Sequence, residues 1–271
     1  MDVLYKSVVR AWQSLKDGGS VGWAFWDVKA GLHNVQSAEV LARMEGCTPL
    51  RCWLSWLKRF MSPREFEVAW DGGVRGRGVA AKGVPQGSPL SPVLFLVFMA
   101  PILEEMAHRV KEDVGRVEVQ FPSYVDDLHC GLYDMQGAGE EEVKRETMLD
   151  LVVRAQRVVT EVAGEQGLSL AADKEESMVL RGGCGRKKNR RNGIAEKVKW
   201  LGVILDDRLD FKEHCRHRIG KARSLLGALG GVGNSKWGMS PVSWRVAYMG
   251  MVCPVASWGV EIGWRGQKEW R

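Results

Sequence analysis

Apolar stretches bounded by charged or turn residues divide the chain into predicted strands and helices. Residues 21 to 28 form a nearly continuous apolar run with Asp27 near its end, which predicts a buried strand that presents a carboxylate. Residues 121 to 132 are also mainly apolar but contain two adjacent aspartates. This second pattern predicts a strand, a tight turn at Asp126 and Asp127, and a returning strand.

Apolar residues at helical spacing predict a set of helices between these strands. The predicted helical stretches cover residues 35 to 61, 93 to 110, 143 to 163, 212 to 229 and 240 to 256. A strand pair is predicted at 168 to 180, and a further apolar run follows at 198 to 205. The order β, α, β, β, α, β followed by helices predicts an α+β fold with a split βαβ core and an attached helical module.

Charge is unevenly distributed along the 271 residues. Residues 181 to 271 hold 19 basic against 7 acidic side chains, whereas residues 1 to 180 hold 20 against 26. A basic C-terminal third is expected of a surface that follows a phosphate backbone, and a solvated basic tail is the equally weighted alternative. The run at 181 to 193, RGGCGRKKNRRNG, is interpreted as a basic linker, with a nuclear-localisation patch or a nucleic-acid contact as alternatives.

Cysteine usage and the N-terminus bear on the compartment. Six scattered cysteines form no CxxC pair, and the N-terminus has Asp2 and no apolar signal region. No apolar run approaches the length of a membrane span. We therefore expect free thiols, a nuclear or cytoplasmic rather than secreted protein, and no membrane partner.

The three aspartates are the strongest chemical signal, because adjacent strands could bring Asp27, Asp126 and Asp127 into one pocket. Two unit charges about 4 Å apart repel by roughly 4 kcal/mol at an effective dielectric constant near 20, so such a cluster calls for a cation. Carboxylate oxygens without His or Cys favour Mg²⁺ or Mn²⁺, which points to phosphoryl or nucleotidyl transfer. Each aspartate taken alone is more simply explained as ordinary turn chemistry.

Two other motifs have simpler explanations when each is taken alone. The loop from 83 to 92, Gly-Val-Pro-Gln-Gly-Ser-Pro-Leu-Ser-Pro, is in isolation best interpreted as a turn that leads into a helix. His214 and His217 share a basic helical stretch, and they are interpreted as a surface pair, not as metal ligands.

The order of these motifs changes their interpretation. Three motifs occur in the same order as in reverse transcriptases: Asp27, then the 83 to 92 loop, then Tyr-Val-Asp-Asp at 124 to 127. The residues of these motifs resemble those of the non-LTR (LINE-type) retrotransposon group. Gly-Leu-Ser-Leu from 167 with Lys174, and Lys-Trp-Leu-Gly-Val-Ile-Leu from 199, resemble the next two motifs. The resemblance covers about residues 21 to 262 and is that of a copy truncated at both ends.

The resemblance implies a polymerase palm (split βαβ, ferredoxin-like) with partial fingers and a helical thumb. It divides the chain into a palm with partial fingers at 1–180, the basic linker at 181–193, and a primer-grip hairpin with a helical thumb at 194–271. It also implies an RNA template with a DNA primer and dNTP as partners, and two Mg²⁺ (or Mn²⁺) ions as cofactors.

The family's functional residues carry over by motif position. The resemblance implies that Asp27, Asp126 and Asp127, with the Val28 carbonyl, hold the two ions, and that Lys174 donates a proton to the leaving pyrophosphate. The implied substrate contacts are Val28, Leu32, Pro85, Gln86, Gly87 and Tyr124, and the implied primer grip is Trp200, Leu201 and Gly202.

The sequence also departs from the family pattern. Leu32 stands where an aromatic residue usually blocks the ribose 2′-hydroxyl, His33 stands where Asp or Asn is frequent, and only 26 residues precede Asp27. These departures support an alternative hypothesis, in which the chain is a catalytically silent retroelement remnant that binds nucleic acid.

Overall fold

A computed structural model describes residues 2–29, 31–47, 51–70, 73–134, 141–180, 194–232 and 238–263. The basic linker predicted at 181–193 lies outside the described residues. The chain divides into two compact units. Unit 1 comprises Met1–Trp23, Tyr133–Leu149 and Glu176–Arg271, and unit 2 comprises Ala24–Leu132 and Asp150–Glu175.

The strands form one five-stranded sheet and two separate hairpins. The strands are β1 (Ser20–Asp27), β2 (Arg64–Trp70), β3 (Gly73–Ala80), β4 (Glu118–Gln120), β5 (Ser123–Tyr124), β6 (Asp127–Asp134), β7 (Glu176–Leu180), β8 (Lys197–Trp200) and β9 (Val203–Asp206). The sheet has the order β4-β6-β1-β7, with β5 paired to β6, and the hairpins are β2-β3 and β8-β9. β1 is buried along nearly its whole length, in agreement with its continuous apolar sequence.

The helices are of very different lengths. They are α1 (Asp2–Lys16), α2 (Gly31–Asn34), α3 (Ser37–Cys47), α4 (Arg51–Phe60), α5 (Ser91–Val114), α6 (Glu141–Glu165), α7 (Lys212–Val232), α8 (Pro241–Ala247), α9 (Cys253–Ser257) and α10 (Val260–Gly263). α5 has a proline in its first turn and buries Leu94, Phe95, Phe98 and Ile102 at helical spacing. No helix of the described residues is long and apolar enough to cross a membrane.

Most predicted elements are present, and the longest that were missed are α1 and the β2-β3 hairpin. α1 was not predicted, although Leu4, Val8 and Ala11 are buried at helical spacing. The β2-β3 hairpin was not predicted either, although β2 has apolar residues at every second position, Phe66, Val68 and Trp70. The mixed helix and sheet composition agrees with the predicted α+β class.

Three predicted elements differ in detail. The strand pair predicted at 168 to 180 is a single strand, β7, after a 3-10 turn at Ala172–Lys174, and Leu170 makes only an isolated bridge to Val28. The helix predicted at 240 to 256 contains a π-helical turn at Tyr248–Val252. Pro254 has no amide hydrogen and its ring crowds the carbonyl four residues earlier, which accounts for the irregularity. The third difference lies at the aspartate turn between β5 and β6.

Candidate functional site

Asp27 is the last residue of β1 and marks the point where a buried strand reaches solvent. The seven preceding residues are buried, whereas one quarter of the Asp27 side chain is exposed. The backbone is fixed at this point because Ala171 donates its amide hydrogen to the Asp27 carbonyl, at 2.9 Å. The carboxylate is thus held at the end of a rigid strand, as the sequence predicted.

Asp126 and Asp127 lie in a two-residue hairpin between β5 and β6. Tyr124 pairs with Asp127, so the turn consists of Val125 and Asp126. The predicted turn at Asp126 and Asp127 was therefore wrong by one residue, because Asp127 already belongs to β6. Val125 has φ 55°, a left-handed conformation that is unfavourable for a β-branched residue and costs about 1–3 kcal/mol.

A backbone hydrogen bond joins the two aspartate segments. The Val28 amide donates to the Asp126 carbonyl at 3.0 Å, directly beside Asp27. The next residue, Lys29, donates to the Ser169 carbonyl at 2.8 Å. Main-chain contacts therefore bring the end of β1, the aspartate turn and the Ser169 segment together without any help from side chains.

The carboxylates of the three aspartates act on one another. The pKa of Asp127 is raised, first because the side chain is half-buried and then because the charges of Asp126 and Asp27 oppose its ionisation. The positive charge of Lys174 acts in the opposite direction and lowers the pKa of Asp127. Its ammonium lies 2.6 Å from the Asp27 carboxylate, and this hydrogen bond is the main reason why the pKa of Lys174 is raised.

The chemistry of the cluster suits a hard cation, but the carboxylates do not form a closed ligand set. Within the described ranges, no group of three or more His, Cys, Asp or Glu side chains is arranged to hold a metal ion. Mutual repulsion at Asp127 and the ammonium on Asp27 nevertheless indicate that positive charge is favoured here. Carboxylate oxygens are the ligands that Mg²⁺ and Mn²⁺ prefer.

The 83 to 92 loop is docked by its backbone onto the segment that follows Asp27. Gly83 donates to the Val35 carbonyl at 3.1 Å, and Val84 donates to the Leu32 carbonyl at 2.9 Å. Gly83 has φ +79°, and a Cβ at this position would lie 2.7 Å from the Cα of His33. Only glycine permits this approach, and the loop consequently lies against Leu32.

The exposed part of this loop carries the predicted substrate residues. Gln86 Nε2 lies 3.0 Å from His33 Nε2, and both side chains are exposed. Pro85 is half-buried and its carbonyl accepts a hydrogen bond from Ser91. The structure therefore brings Leu32, Pro85, Gln86 and His33 together. The contact of His33 is new, and its sequence position beside Leu32 was the only signal for it.

Tyr124 and Gly87 have open surroundings. The Tyr124 side chain is 54% exposed on the strand that leads into the aspartate turn. Gly87 has φ +84°, and a Cβ there would meet nothing within 4 Å. Both residues are accessible to a ligand in unit 2.

The predicted primer-grip residues lie in unit 1, on the β8-β9 hairpin. Leu201 and Gly202 form its two-residue turn and both have positive φ, 48° and 78°, as a type I′ hairpin turn requires. Trp200 is buried, with 3% of its surface exposed, so its side chain supports the hairpin from within. Leu201 and Gly202 are half-buried, so the turn is partly accessible to a ligand.

Comparisons with known proteins point to one family. Residues 6–205 match the family described as reverse transcriptase (RNA-dependent DNA polymerase). The chain is 24% identical over 270 residues to the putative 115 kDa protein in the type-1 retrotransposable element R1DM of Drosophila melanogaster. This match covers 95% of this chain and 24% of that protein. It is 22% identical to the retrovirus-related Pol polyprotein from the R1 element of Nasonia vitripennis, over 69% of this chain and 54% of that protein.

Two further similarities complete these findings. The RNA-directed DNA polymerase from the mobile element jockey of Drosophila melanogaster is 28% identical over 46% of this chain and 13% of its own length. A solved telomerase from Candida albicans, in complex with a fragment of telomeric RNA, is 11% identical, with a TM-score of 0.42 over 97% of this chain and 42% of that chain. The chain spans between about an eighth and about half of the length of these curated relatives.

Proposed function

Because the chain belongs to the reverse transcriptase family, in its LINE-type branch, we propose that it catalyses RNA-directed DNA synthesis. The substrates are a DNA primer annealed to an RNA template and an incoming dNTP. The observation that carries this proposal is the 3.0 Å hydrogen bond from the Val28 amide to the Asp126 carbonyl, which brings the segments of Asp27 and Asp126 together.

In the proposed reaction, Asp27, Asp126 and Asp127 hold two divalent cations, with the Val28 carbonyl as a further ligand. The bound cations supply a more acidic primer 3′-hydroxyl and charge stabilisation at the α-phosphate of the dNTP. The chain contributes an arrangement of carboxylates fixed by the backbone, so that little reorganisation is needed when substrates bind.

Lys174 acts on the leaving group in this proposal. Its ammonium is held on Asp27 in the structure, and this ion pair favours the protonated form of the amine. A protonated amine beside the catalytic carboxylates is suited to donate a proton to pyrophosphate as it leaves.

The docked loop and Leu32 supply the binding site for the nascent base pair. Pro85, Gln86 and Gly87 present mostly exposed backbone and one amide side chain, and Tyr124 is exposed on the strand before the aspartates. Leu32 limits the space beside the ribose less rigidly than an aromatic ring would. The turn at Leu201 and Gly202, supported by Trp200, holds the primer end.

Primer extension tests the proposal directly. The full chain is given oligo(dT) on poly(rA), dTTP and either Mg²⁺ or Mn²⁺, beside the double variant Asp126→Ala, Asp127→Ala. The variant Asp150→Ala, which removes an exposed carboxylate of α6, is the matched control. We expect extension by the wild type and the control only, and equal extension by the wild type and the double variant would reject the proposal.

A second candidate function, nucleic-acid binding without catalysis, is favoured by the 19 basic against 7 acidic residues of 181 to 271. It predicts binding of primer–template that weakens steeply between about 50 and 200 mM salt, with no extension. Robust extension, or binding that does not change with salt, contradicts this candidate.

A further inference from the structure

Two side chains of α7 hold the turn of the β8-β9 hairpin. Arg218 donates from Nη2 to the Gly202 carbonyl at 3.0 Å. Four residues earlier, and thus on the same face of the helix, His214 accepts a hydrogen bond at Nδ1 from the Ile204 amide at 3.2 Å. The turn and the strand that leaves it are therefore anchored to one helix.

The same two side chains also hold Trp258, which follows α9. His214 Nε2 is 2.8 Å from the Trp258 carbonyl, and the Arg218 guanidinium lies 5.7 Å from the centre of the Trp258 ring. A Cβ placed on Gly202 would lie 3.2 Å from Trp258 Nε1. The indole ring therefore lies directly against the turn, with Arg218 in contact with both.

Glycine at position 259 makes this arrangement possible. Gly259 has φ +77°, and a Cβ there would lie 2.9 Å from both His214 Nε2 and a methyl group of Val203. Any larger residue would push the Trp258 carbonyl away from the histidine.

The hydrogen bonds define the state of His214. A backbone amide can only donate and a carbonyl can only accept, so Nδ1 is the acceptor and Nε2 carries the proton. The ring is therefore neutral and is 3% exposed. This corrects the sequence interpretation of His214 as half of a surface pair, whereas His217 is exposed as expected.

We propose that His214, Arg218 and Trp258 form a clamp that sets the position of the Leu201–Gly202 turn and, through it, of the primer end. They are positioning residues, since none of them is required to touch a reacting atom. The proposal rests on the proposed function for its consequence in catalysis. The clamp itself is a property of unit 1 that can be measured without catalysis.

Steady-state kinetics test the catalytic consequence. We expect His214→Ala and Arg218→Ala to raise the KM for primer–template about fivefold to tenfold, the effect of losing one or two net hydrogen bonds. The kcat and the KM for dTTP should stay within about twofold of the wild type. His214→Gln, which retains one donor and one acceptor, should recover part of the loss.

The controls use exposed residues of the same helix. His217→Ala and Arg216→Ala remove the same residue types from α7 without touching the hairpin, and they should behave as the wild type. If the clamp residues were merely structural, their loss would lower kcat through a smaller folded fraction and leave both KM values unchanged. That result, or an unchanged KM for primer–template, would overturn the proposal.

Amide hydrogen exchange separates this proposal from the proposed function. In the free protein, His214→Ala should accelerate exchange of the Ile204 amide and of the turn, while exchange in the β2-β3 hairpin stays unchanged. If the wild type extends no primer but this local acceleration is found, the proposed function fails and the clamp stands. Unchanged exchange at Ile204 overturns the clamp, whatever the polymerase assay shows.

Discussion

The aspartate site of unit 2 and the β8-β9 turn of unit 1 are built by different interactions. Backbone hydrogen bonds hold the aspartate segments, and the carboxylates project from them toward solvent. The β8-β9 turn closes a backbone-paired hairpin, but it is also anchored to α7 by the side chains of His214 and Arg218. Chemistry at the aspartates can therefore change with little effect on folding, whereas position and stability are coupled at the turn.

The largest effect is expected from removing one carboxylate of the aspartate site. Asp127→Asn should reduce primer extension by roughly 10³-fold, a loss comparable to that of other groups that stabilise a developing charge. The midpoint of thermal unfolding should not fall, because no backbone contact of the site uses this side chain. Extension and melting curves are measured with Asp150→Asn in parallel, and a large fall in melting temperature would contradict the comparison.

A clash with the backbone should produce the next largest effect. Gly83→Ala should lower the free energy of unfolding by about 1–3 kcal/mol, since the new Cβ meets the main chain at His33 and the residue has positive φ. Gly87 has a similar φ but open space around it, so Gly87→Ala measures the free-energy cost of the backbone conformation alone. Urea unfolding of both variants measures the two free energies of unfolding. Equal losses of unfolding free energy in the two variants would exclude the tight docking of the loop.

Acid should reveal the buried histidine of the turn. The pKa of His214 is lowered mainly by burial, and the charges of Arg218 and His217 act in the same direction. The unfolded state then binds the proton more readily than the folded state. The contribution of neutral His214 to the free energy of unfolding is therefore fully present above the ordinary pKa of 6.5 and is lost as the pH falls below it. His214→Gln should reduce this loss of unfolding free energy on acidification.

A second buried histidine also affects how the free energy of unfolding changes with pH. His129 is buried against Phe25 and its pKa is lowered to about 3 by burial, so part of the acid sensitivity should persist in His214→Gln. Identical pH profiles for the wild type and His214→Gln would argue against a neutral His214.

The smallest effect is expected on stability at the aspartate site. The pKa of Asp127 is raised, so the folded state binds its proton more readily, and stability falls as the pH rises above the ordinary value of 3.8. Asp127→Asn should therefore melt slightly higher than the wild type at pH 7 without divalent cations. Added Mg²⁺ should raise the melting temperature of the wild type more than that of the variant, and an equal response would contradict cation binding at Asp127.

The sequence was most informative where the signal was local. The strand that ends at Asp27 and the hairpin that contains Asp126 follow from runs of apolar residues and their interruptions. The ordered motifs predicted the family, which the match over residues 6–205 confirms. The one-residue error at the turn arose because Val125 adopts a conformation that its side chain disfavours.

The clamp could not be predicted, because its contacts join residues far apart in the chain. His214 is buried only because Ile204 and Trp258 approach it from two other segments, and neither approach leaves a periodic signal. The contact between Lys174 and Asp27 joins residues 147 positions apart and is likewise invisible in the sequence. The β2 strand and α1, by contrast, carry period-2 and helical patterns that sequence reading should have found.

Iron-directed cleavage tests the central claim most directly, namely that three carboxylates from separate segments share divalent cations. Fe²⁺ replaces Mg²⁺ in the complex with primer–template and dTTP, and ascorbate with peroxide then cuts the backbone near the bound ion. We expect cuts both near residue 27 and near residues 126 and 127, and these cuts should be lost in Asp27→Asn and retained in Asp150→Asn. Cleavage at one segment only, or elsewhere in the chain, would contradict it.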